Sequence, residues 1–209
     1  LALVLCFTAI LAASPAARHA VAGWLGLRGV EIKFGDSRTP PTTAGVGSGL
    51  ALGEMTSLAE ARRRVTFPVV LPPERLGPPD EVYYSASPPG GRVTFLYRAA
   101  PGLPEASLTG AGLLLTQFRA EVDEAFTRKV IDLGVRVEEV TVAGGRGYWF
   151  EGAPHRLVFA DENGQFYEDR SRLAGNTLVW ERGDITLRLE SALSKDAAIE
   201  LAESLRPPS

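Results

Sequence analysis

The feature that most constrains this chain is its apolar start, residues 1–13, which hold no charge and a single polar residue, Thr8. A helix of this length covers roughly 20 Å, whereas the hydrocarbon core of a bilayer is ~30 Å thick. The sequence does not begin with Met, and about seven further apolar residues upstream would complete a spanning helix. We therefore predict that residues 1–17 are the C-terminal part of a transmembrane helix, which gives the protein its contact with the membrane.

Two other interpretations of the apolar run stay open. It fits the apolar region of a signal peptide, with Ser14, Pro15 and Ala16 as the nearest cleavage site of small residues. It also fits a buried helix of a soluble domain. The single cysteine, Cys6, lies inside the run, so cysteine usage favours neither an extracytoplasmic nor a cytosolic location for the rest of the chain.

The remainder of the chain divides by composition into three predicted segments. Residues 18–34 fit a juxtamembrane helix and strand, because apolar residues first recur at helical spacing and then alternate. Residues 35–54 are rich in Gly, Pro, Ser and Thr and lack an apolar period, which predicts a flexible linker. Residues 55–209 hold the other periodic segments and are predicted to form one extracytoplasmic domain.

Three short helices are predicted in that domain. Ser57 and Glu60 have the spacing of a capping box, which starts the first helix. The second spans residues 121–133, where apolar side chains recur at helical spacing. The third spans residues 194–205 and ends before Pro207.

The strands of the domain are predicted from alternating apolar and polar residues between turn signals. Val93, Phe95 and Tyr97 share one strand face and are expected to point inward. The order of helices and strands predicts an α+β fold with a mostly antiparallel, curved sheet, preceded by the apolar N-terminal helix. The predicted strands are residues 81–86, 92–98, 113–119, 135–142, 148–151, 156–160, 165–168, 177–181 and 185–190.

Residue types exclude several function classes. The net charge of the chain is −3, whereas domains that bind nucleic acid usually have an excess of basic residues arranged in a stripe. The glycine-rich residues 45–49 follow no predicted strand and lack a Gly-Lys-Ser/Thr ending, so no nucleotide cofactor is predicted. His19 and His155 are the only histidines, which is too few for a usual zinc site. The chain also has no Gly-x-Ser-x-Gly motif to supply a nucleophilic serine to either histidine. The sequence therefore predicts no catalytic, cofactor-binding or metal-binding residues.

Neighbouring carboxylates are the remaining candidates for hydrolytic chemistry. A glycosidase needs two carboxyl groups roughly 5–10 Å apart across a cleft. Each group also fits a solvated helix start, strand edge or turn. The groups are Glu121 with Asp123 and Glu124, Glu138 with Glu139, Asp161 with Glu162, and Glu168 with Asp169.

Aromatic residues are concentrated on the predicted strands. A concave aromatic sheet could hold a lipid or a peptide, whereas aromatic residues on strands are more typical of a core. The residues concerned are Tyr83, Tyr84, Phe95, Tyr97, Tyr148, Trp149, Phe150, Phe166, Tyr167 and Trp180.

Three stretches between Ser57 and Leu205 carry a family resemblance. They are Phe67-Pro68-Val69-Val70-Leu71-Pro72, then Leu178-Val179-Trp180-Glu181 leading through Gly183 to Ile185-Thr186-Leu187, and Leu193-Ser194-Lys195-Asp196 leading to Ala202-Glu203-Ser204-Leu205. This part of the chain resembles a bacterial extracytoplasmic domain-of-unknown-function family that follows a single transmembrane helix. Some of its members are attached to anti-sigma-factor-like or sporulation-related proteins. The resemblance implies an envelope location and carries no catalytic residue to this chain.

Together these observations predict a non-enzymatic, single-pass membrane protein whose main domain is extracytoplasmic. We expect it to sense or bind a protein, peptide or lipid at the cell envelope, in a context of envelope signalling. An alternative is a lipid or lipoprotein carrier with a curved sheet. A third hypothesis is an envelope hydrolase that uses one of the carboxylate pairs.

Overall fold

A computed structural model describes residues 46–106, 109–119, 121–122, 136–151, 156–160, 166–170, 173 and 176–207. The predicted transmembrane segment, the juxtamembrane segment and the first part of the predicted linker lie outside these residues. Within the described ranges no helix is long and apolar enough to cross a membrane.

The described residues are organised by an eight-stranded antiparallel sheet and a smaller three-stranded one. Neighbours in the large sheet follow the order β1-β2-β3-β4-β11-β10-β7-β6, and those in the small sheet follow β5-β8-β9. The strands are β1 (Glu54–Thr56), β2 (Glu81–Ser85), β3 (Arg92–Arg98), β4 (Ala111–Phe118), β5 (Glu121–Val122), β6 (Arg136–Val142), β7 (Gly145–Glu151), β8 (Arg156–Ala160), β9 (Phe166–Arg170), β10 (Asn176–Arg182) and β11 (Ile185–Ser191).

Nine of these strands were expected from alternation of side-chain polarity, and the antiparallel α+β class is confirmed. β1 was not expected, because its three residues are too few to show a period. Glu121 and Val122, predicted to open a helix, form β5 instead, where they pair with Ala160 and Phe159 of β8. This pairing overrides the helical spacing, which is a weak local preference. Residues 123–133 of the same predicted helix lie outside the described residues.

Two helices cover one face of the large sheet, α1 (Leu58–Arg64) and α2 (Lys195–Glu203). The N-cap half of the predicted capping box is confirmed at α1, where the backbone N–H of Glu60 donates to Ser57 Oγ at 3.1 Å. Ser194 caps α2 in the same way, by accepting from the backbone N–H of Ala197. Both caps satisfy backbone donors that a helix start otherwise leaves unpaired.

The main core lies between these helices and the sheet, and we call it the helix-side core. Val93, Phe95 and Tyr97 of β3 are buried in it, as their shared face predicts. Residues 67–71 cross this face as an extended segment and add apolar side chains to the same core. The other members that matter below are Trp149, Trp180, Leu187, Ala198 and Leu201.

The opposite face of the sheet is also buried near β2, β3 and β4, where residues 46–53 pack against it. We call this segment the strap. Its Leu52 is 1% exposed and contacts an apolar cluster that includes Tyr83, Leu96 and Leu114. The strap lies within the predicted linker, residues 35–54, yet its Gly47 and Leu52 are buried against the sheet.

Two glycines explain why a packed segment has the composition of a linker. A Cβ atom at Gly47 would lie 2.2 Å from the hydroxyl oxygen of Tyr83, and one at Gly53 would lie 2.2 Å from the carbonyl oxygen of Tyr84. Gly53 also has φ +112°, a conformation that other residues rarely adopt. These glycines allow close approach to β2, a role that composition does not distinguish from flexibility.

Candidate functional site

Buried polar side chains form a row across the centre of the sheet, on the face that the strap also contacts. Thr94 of β3 lies opposite Thr116 of β4, which lies opposite Arg188 of β11. The hydroxyl oxygens of Thr94 and Thr116 are 3.1 Å apart. Glu190 follows two residues after Arg188 and therefore shares its face. We call Thr94, Thr116, Arg188 and Glu190 the polar row; all four are buried.

Arg188 and Glu190 form an ion pair that is removed from solvent, with side chains 0% and 1% exposed. Arg188 Nη2 donates to Glu190 Oε1, and Glu190 Oε2 accepts from the backbone N–H of Leu173 at 2.9 Å. A buried charge is tolerated only when it is paired and hydrogen-bonded. Both carboxylate oxygens of Glu190 are thus used inside the protein, where they hold Arg188 and residue 173 in place.

A second buried carboxylate, Glu81, connects the strap to β2. Glu81 Oε2 accepts from the backbone N–H of Gly47 at 3.2 Å and from the hydroxyl of Tyr83. Its other oxygen, Oε1, lies 3.4 Å from Nη2 of Arg98. Burial raises the pKa of Tyr83 well above its ordinary value, and the adjacent Glu81 carboxylate adds to the rise. Tyr83 therefore stays protonated and donates to Glu81 throughout the physiological pH range.

Glu138 and Glu139, one of the predicted carboxylate pairs, are separated by the pleat of β6. Glu138 accepts from Lys195 Nζ of α2 at 2.7 Å, whereas Glu139 accepts from Arg146 Nε of β7 at 3.1 Å. Adjacent strand residues point to opposite faces, so these two carboxyl groups do not share a cleft. The hydrogen bond from Lys195 lowers the pKa of Glu138, which keeps it ionised rather than poised as an acid.

The other predicted candidates fall mostly outside the described residues. Glu121 lies on β5, and Glu168 and Asp169 lie on β9. Within the described ranges there is no group of three or more His, Cys, Asp and Glu that could hold a metal ion. The candidates outside these ranges are Cys6, His19, Asp123, Glu124, His155, Asp161 and Glu162.

Most of the strand aromatics are core residues, and they belong to both faces of the sheet. Phe95, Trp149 and Trp180 are buried in the helix-side core, while Phe150 is buried as well. Tyr84 is half-buried beneath Arg64, whose guanidinium carbon lies 3.8 Å from the ring centroid. For Phe95, Trp149, Phe150 and Trp180 the core interpretation is confirmed.

Sequence patterns did not identify the polar row or Glu81. The alternation Thr186-Leu187-Arg188-Leu189-Glu190 is typical of a strand with one solvated face, and here both faces are buried. Glu81 likewise begins a strand, where a charged residue is expected at the surface. The one available signal was that Arg188 and Glu190 carry opposite charges two residues apart on one face.

No family model, curated protein or solved structure matches the chain. The resemblance to the bacterial extracytoplasmic family therefore stays a prediction. The three stretches that carry it supply packing residues: Val69 and Val70 from the extended segment, Trp180 from β10 and Leu201 near the end of α2 are all buried in the helix-side core.

Proposed function

We propose that this chain is a non-enzymatic, membrane-anchored domain that senses or binds a ligand on the extracytoplasmic side. The apolar run of residues 1–13 supports the anchor, and the family resemblance supports a role in envelope signalling. The N-terminal helix supplies the membrane contact, and the ligand is a protein, a peptide or a lipid at the envelope. The slightly acidic net charge of −3 argues against nucleic acid.

The observation that carries the sensory part of this proposal is the docking of the strap onto the sheet. The strap is the first described part of the chain after the predicted anchor. Leu52 is buried against the sheet and Gly47 is bonded to Glu81. A segment that packs on the domain can have a docked and an undocked state, and a ligand that binds one of them more tightly shifts their populations.

The buried charges support a binding role over a catalytic one. The carboxylate oxygens of Glu81 and Glu190 accept hydrogen bonds from backbone N–H groups and arginines within the protein. Glu138 and Glu139 bind different cations on opposite faces of β6. The hydrolase hypothesis requires two carboxyl groups that face the same substrate, and these four do not provide such a pair.

The lipid-carrier hypothesis is also weaker than the sensory one. It requires a curved sheet whose aromatic side chains line a cavity, and Phe95, Trp149 and Trp180 are instead packed in the helix-side core. Native mass spectrometry of the purified chain tests the carrier hypothesis, which requires a lipid that co-purifies in stoichiometric amount. Detection of the ligand-free chain alone would contradict the carrier.

The location is tested with a C-terminal tag on the full chain in bacterial spheroplasts. A protease added outside should remove the tag while a cytoplasmic marker protein stays intact. Removal of the tag only after the membrane is lysed would overturn the proposal. The same digestion in lysed cells is the control that the tag is cleavable.

A further inference from the structure

The contacts that hold the strap include apolar packing and a hydrogen bond to a buried carboxylate, and these two can be tested separately. Val46, Leu50 and Leu52 pack on the apolar cluster formed with Tyr83, Leu96 and Leu114. The backbone N–H of Gly47 donates to the buried carboxylate of Glu81, which also accepts from Tyr83. Because the acceptor is charged, this bond is stronger than one between neutral groups.

The strap also lies at the periphery of the sheet. It leads into β1, a strand of three residues that pairs with β2 alone in the described sheet. Glu54 and Met55 of β1 are exposed, and Met55 is 60% accessible to solvent. β4, in contrast, pairs with strands on both sides and is buried along its whole length. Peripheral elements with few buried residues open at lower free energy than central ones.

We infer that the strap is a latch: residues 46–53 leave the sheet while the rest of the domain stays folded, and Glu81 sets how often they do so. The open state uncovers the apolar side chains of Leu96 and Leu114 together with the Glu81 carboxylate. The strap thus has a docked and a released state. This inference goes beyond the proposed function and does not depend on which side of a membrane the domain occupies.

Hydrogen exchange on the full chain, followed by mass spectrometry, tests the latch without altering the strap. The hydrogen-bonded amides of the strap include that of Gly47, which donates to Glu81, and that of Leu50, which donates to the carbonyl oxygen of Gly47. We expect peptides that cover the strap to exchange at least about tenfold faster than peptides from β4, after correction for intrinsic rates. Equal protection of the strap and β4 would overturn the inference.

The substitution Glu81→Gln tests the role of the carboxylate. It keeps the shape of the side chain but replaces a charged acceptor with a neutral one. We expect exchange of the strap to rise about threefold to tenfold, while β4 and β11 change less than about twofold. Glu74→Gln is the matched control, because Glu74 is an exposed carboxylate that pairs with Arg206 and has no bond to the strap among the described contacts. An equal acceleration in the strap and in β4, or none in either, would contradict the inference.

The substitution Leu52→Ala gives a second, independent test through the apolar contacts. Removing the buried side chain should accelerate exchange of the strap by at least about thirtyfold. The protection of β4 against hydrogen exchange should fall much less, because the strap opens without unfolding of the rest of the domain. If β4 loses protection by the same factor as the strap, the strap opens only by global unfolding and there is no latch.

Discussion

The side-chain amide of Gln117 pairs with the backbone of Val70 as a neighbouring strand would. The N–H of Val70 donates to Gln117 Oε1 at 2.8 Å, and Gln117 Nε2 donates to the carbonyl oxygen of Val70 at 2.9 Å. The next residue, Leu71, exchanges backbone hydrogen bonds with Arg206 at 2.8 and 3.3 Å. One side chain and one backbone bridge therefore fix the extended segment across the helix-side core.

Substituting Gln117→Leu should lower the free energy of unfolding by about 2–4 kcal/mol, because it leaves the buried N–H and carbonyl groups of Val70 without partners. Urea unfolding monitored by fluorescence measures the change. The control is the double variant Thr94→Val with Thr116→Val, which removes both partners of one buried hydrogen bond at once. That control should stay within about 1 kcal/mol of the unmodified chain. A smaller loss for Gln117→Leu than for the control would contradict this account of Val70.

The ion pair between Arg188 and Glu190 should be strongly coupled in stability. Arg188→Met leaves the Glu190 carboxylate buried without its cation and should cost about 3–5 kcal/mol. Adding Glu190→Gln removes that charge but keeps an acceptor for the backbone N–H of Leu173, so the double variant should recover about half of the loss. A double-mutant cycle from urea unfolding gives the coupling energy.

The surface ion pair of Arg119 with Asp184 is the matched control for this cycle. Its side chains are well exposed, so Asp184→Asn should change the stability by less than about 1 kcal/mol. If the Arg188→Met and Glu190→Gln losses simply add, the two residues do not stabilise each other as described.

Most strands of this chain could be predicted from its sequence. Polar and apolar residues alternate along a strand wherever one face of the sheet is apolar. The positions of β2 and β3 and the inward face of Val93 and Phe95 followed from this rule. The burial of Arg188 and Glu190 could not, since polar residues at alternate positions look the same whether water or protein covers them. Only the tertiary contacts of Glu190 distinguish the two cases.

The strap could not be predicted either, for a related reason. Gly47 and Gly53 give the segment the composition of a linker, and only the positions of Tyr83 and Tyr84 reveal that a larger side chain would clash there. The prediction of a helix that starts at Glu121 was wrong for Glu121 and Val122. Their pairing with β8 is a long-range contact that outweighs the helical spacing of the local sequence.

Two glycines with positive φ should respond differently to substitution. At Gly53 a Cβ atom would lie 2.2 Å from the backbone oxygen of Tyr84, whereas at Gly77, with φ +67°, nothing lies within 4 Å. Gly77 has ψ −168° together with its positive φ, a backbone region almost restricted to glycine, so Gly77→Ala should cost the conformational strain alone, about 1–3 kcal/mol. Gly53→Ala should cost about 2 kcal/mol more, because the backbone of β2 must move or the strap must lift. Thermal or urea unfolding of both variants measures the difference, and equal losses would contradict the close approach at Gly53.

Stability at alkaline pH should depend on Tyr97. Burial raises the pKa of Tyr97 to about 12, the nearby Asp80 adds to the rise, and Arg206 opposes it. Its hydroxyl donates to the carbonyl oxygen of Gly77 at 3.1 Å. Because the pKa is higher in the folded than in the unfolded chain, this contribution is complete below about pH 10 and is lost as the pH rises towards about 12.

The substitution Tyr97→Phe isolates that contribution. Between pH 10 and pH 12 the unfolding free energy of the variant should fall less steeply than that of the unmodified chain. Tyr83→Phe is not a suitable control, since the pKa of Tyr83 is also raised. The control is instead the same comparison below about pH 9, where the contribution of Tyr97 is complete and the slopes of the variant and the unmodified chain should match. Identical slopes for Tyr97→Phe and the unmodified chain would contradict the assignment.

The central claim, an extracytoplasmic domain behind a membrane anchor, is tested most directly by cysteine labelling in intact spheroplasts. Cys6→Ala provides a background in which one new cysteine is introduced at Arg63, whose side chain is 69% exposed on α1. Leu187→Cys, buried in the helix-side core, is the matched control and should react only after denaturation. With a membrane-impermeant maleimide, we predict that Arg63→Cys is labelled equally before and after the membrane is permeabilised. Labelling of Arg63→Cys only after permeabilisation would contradict the claim.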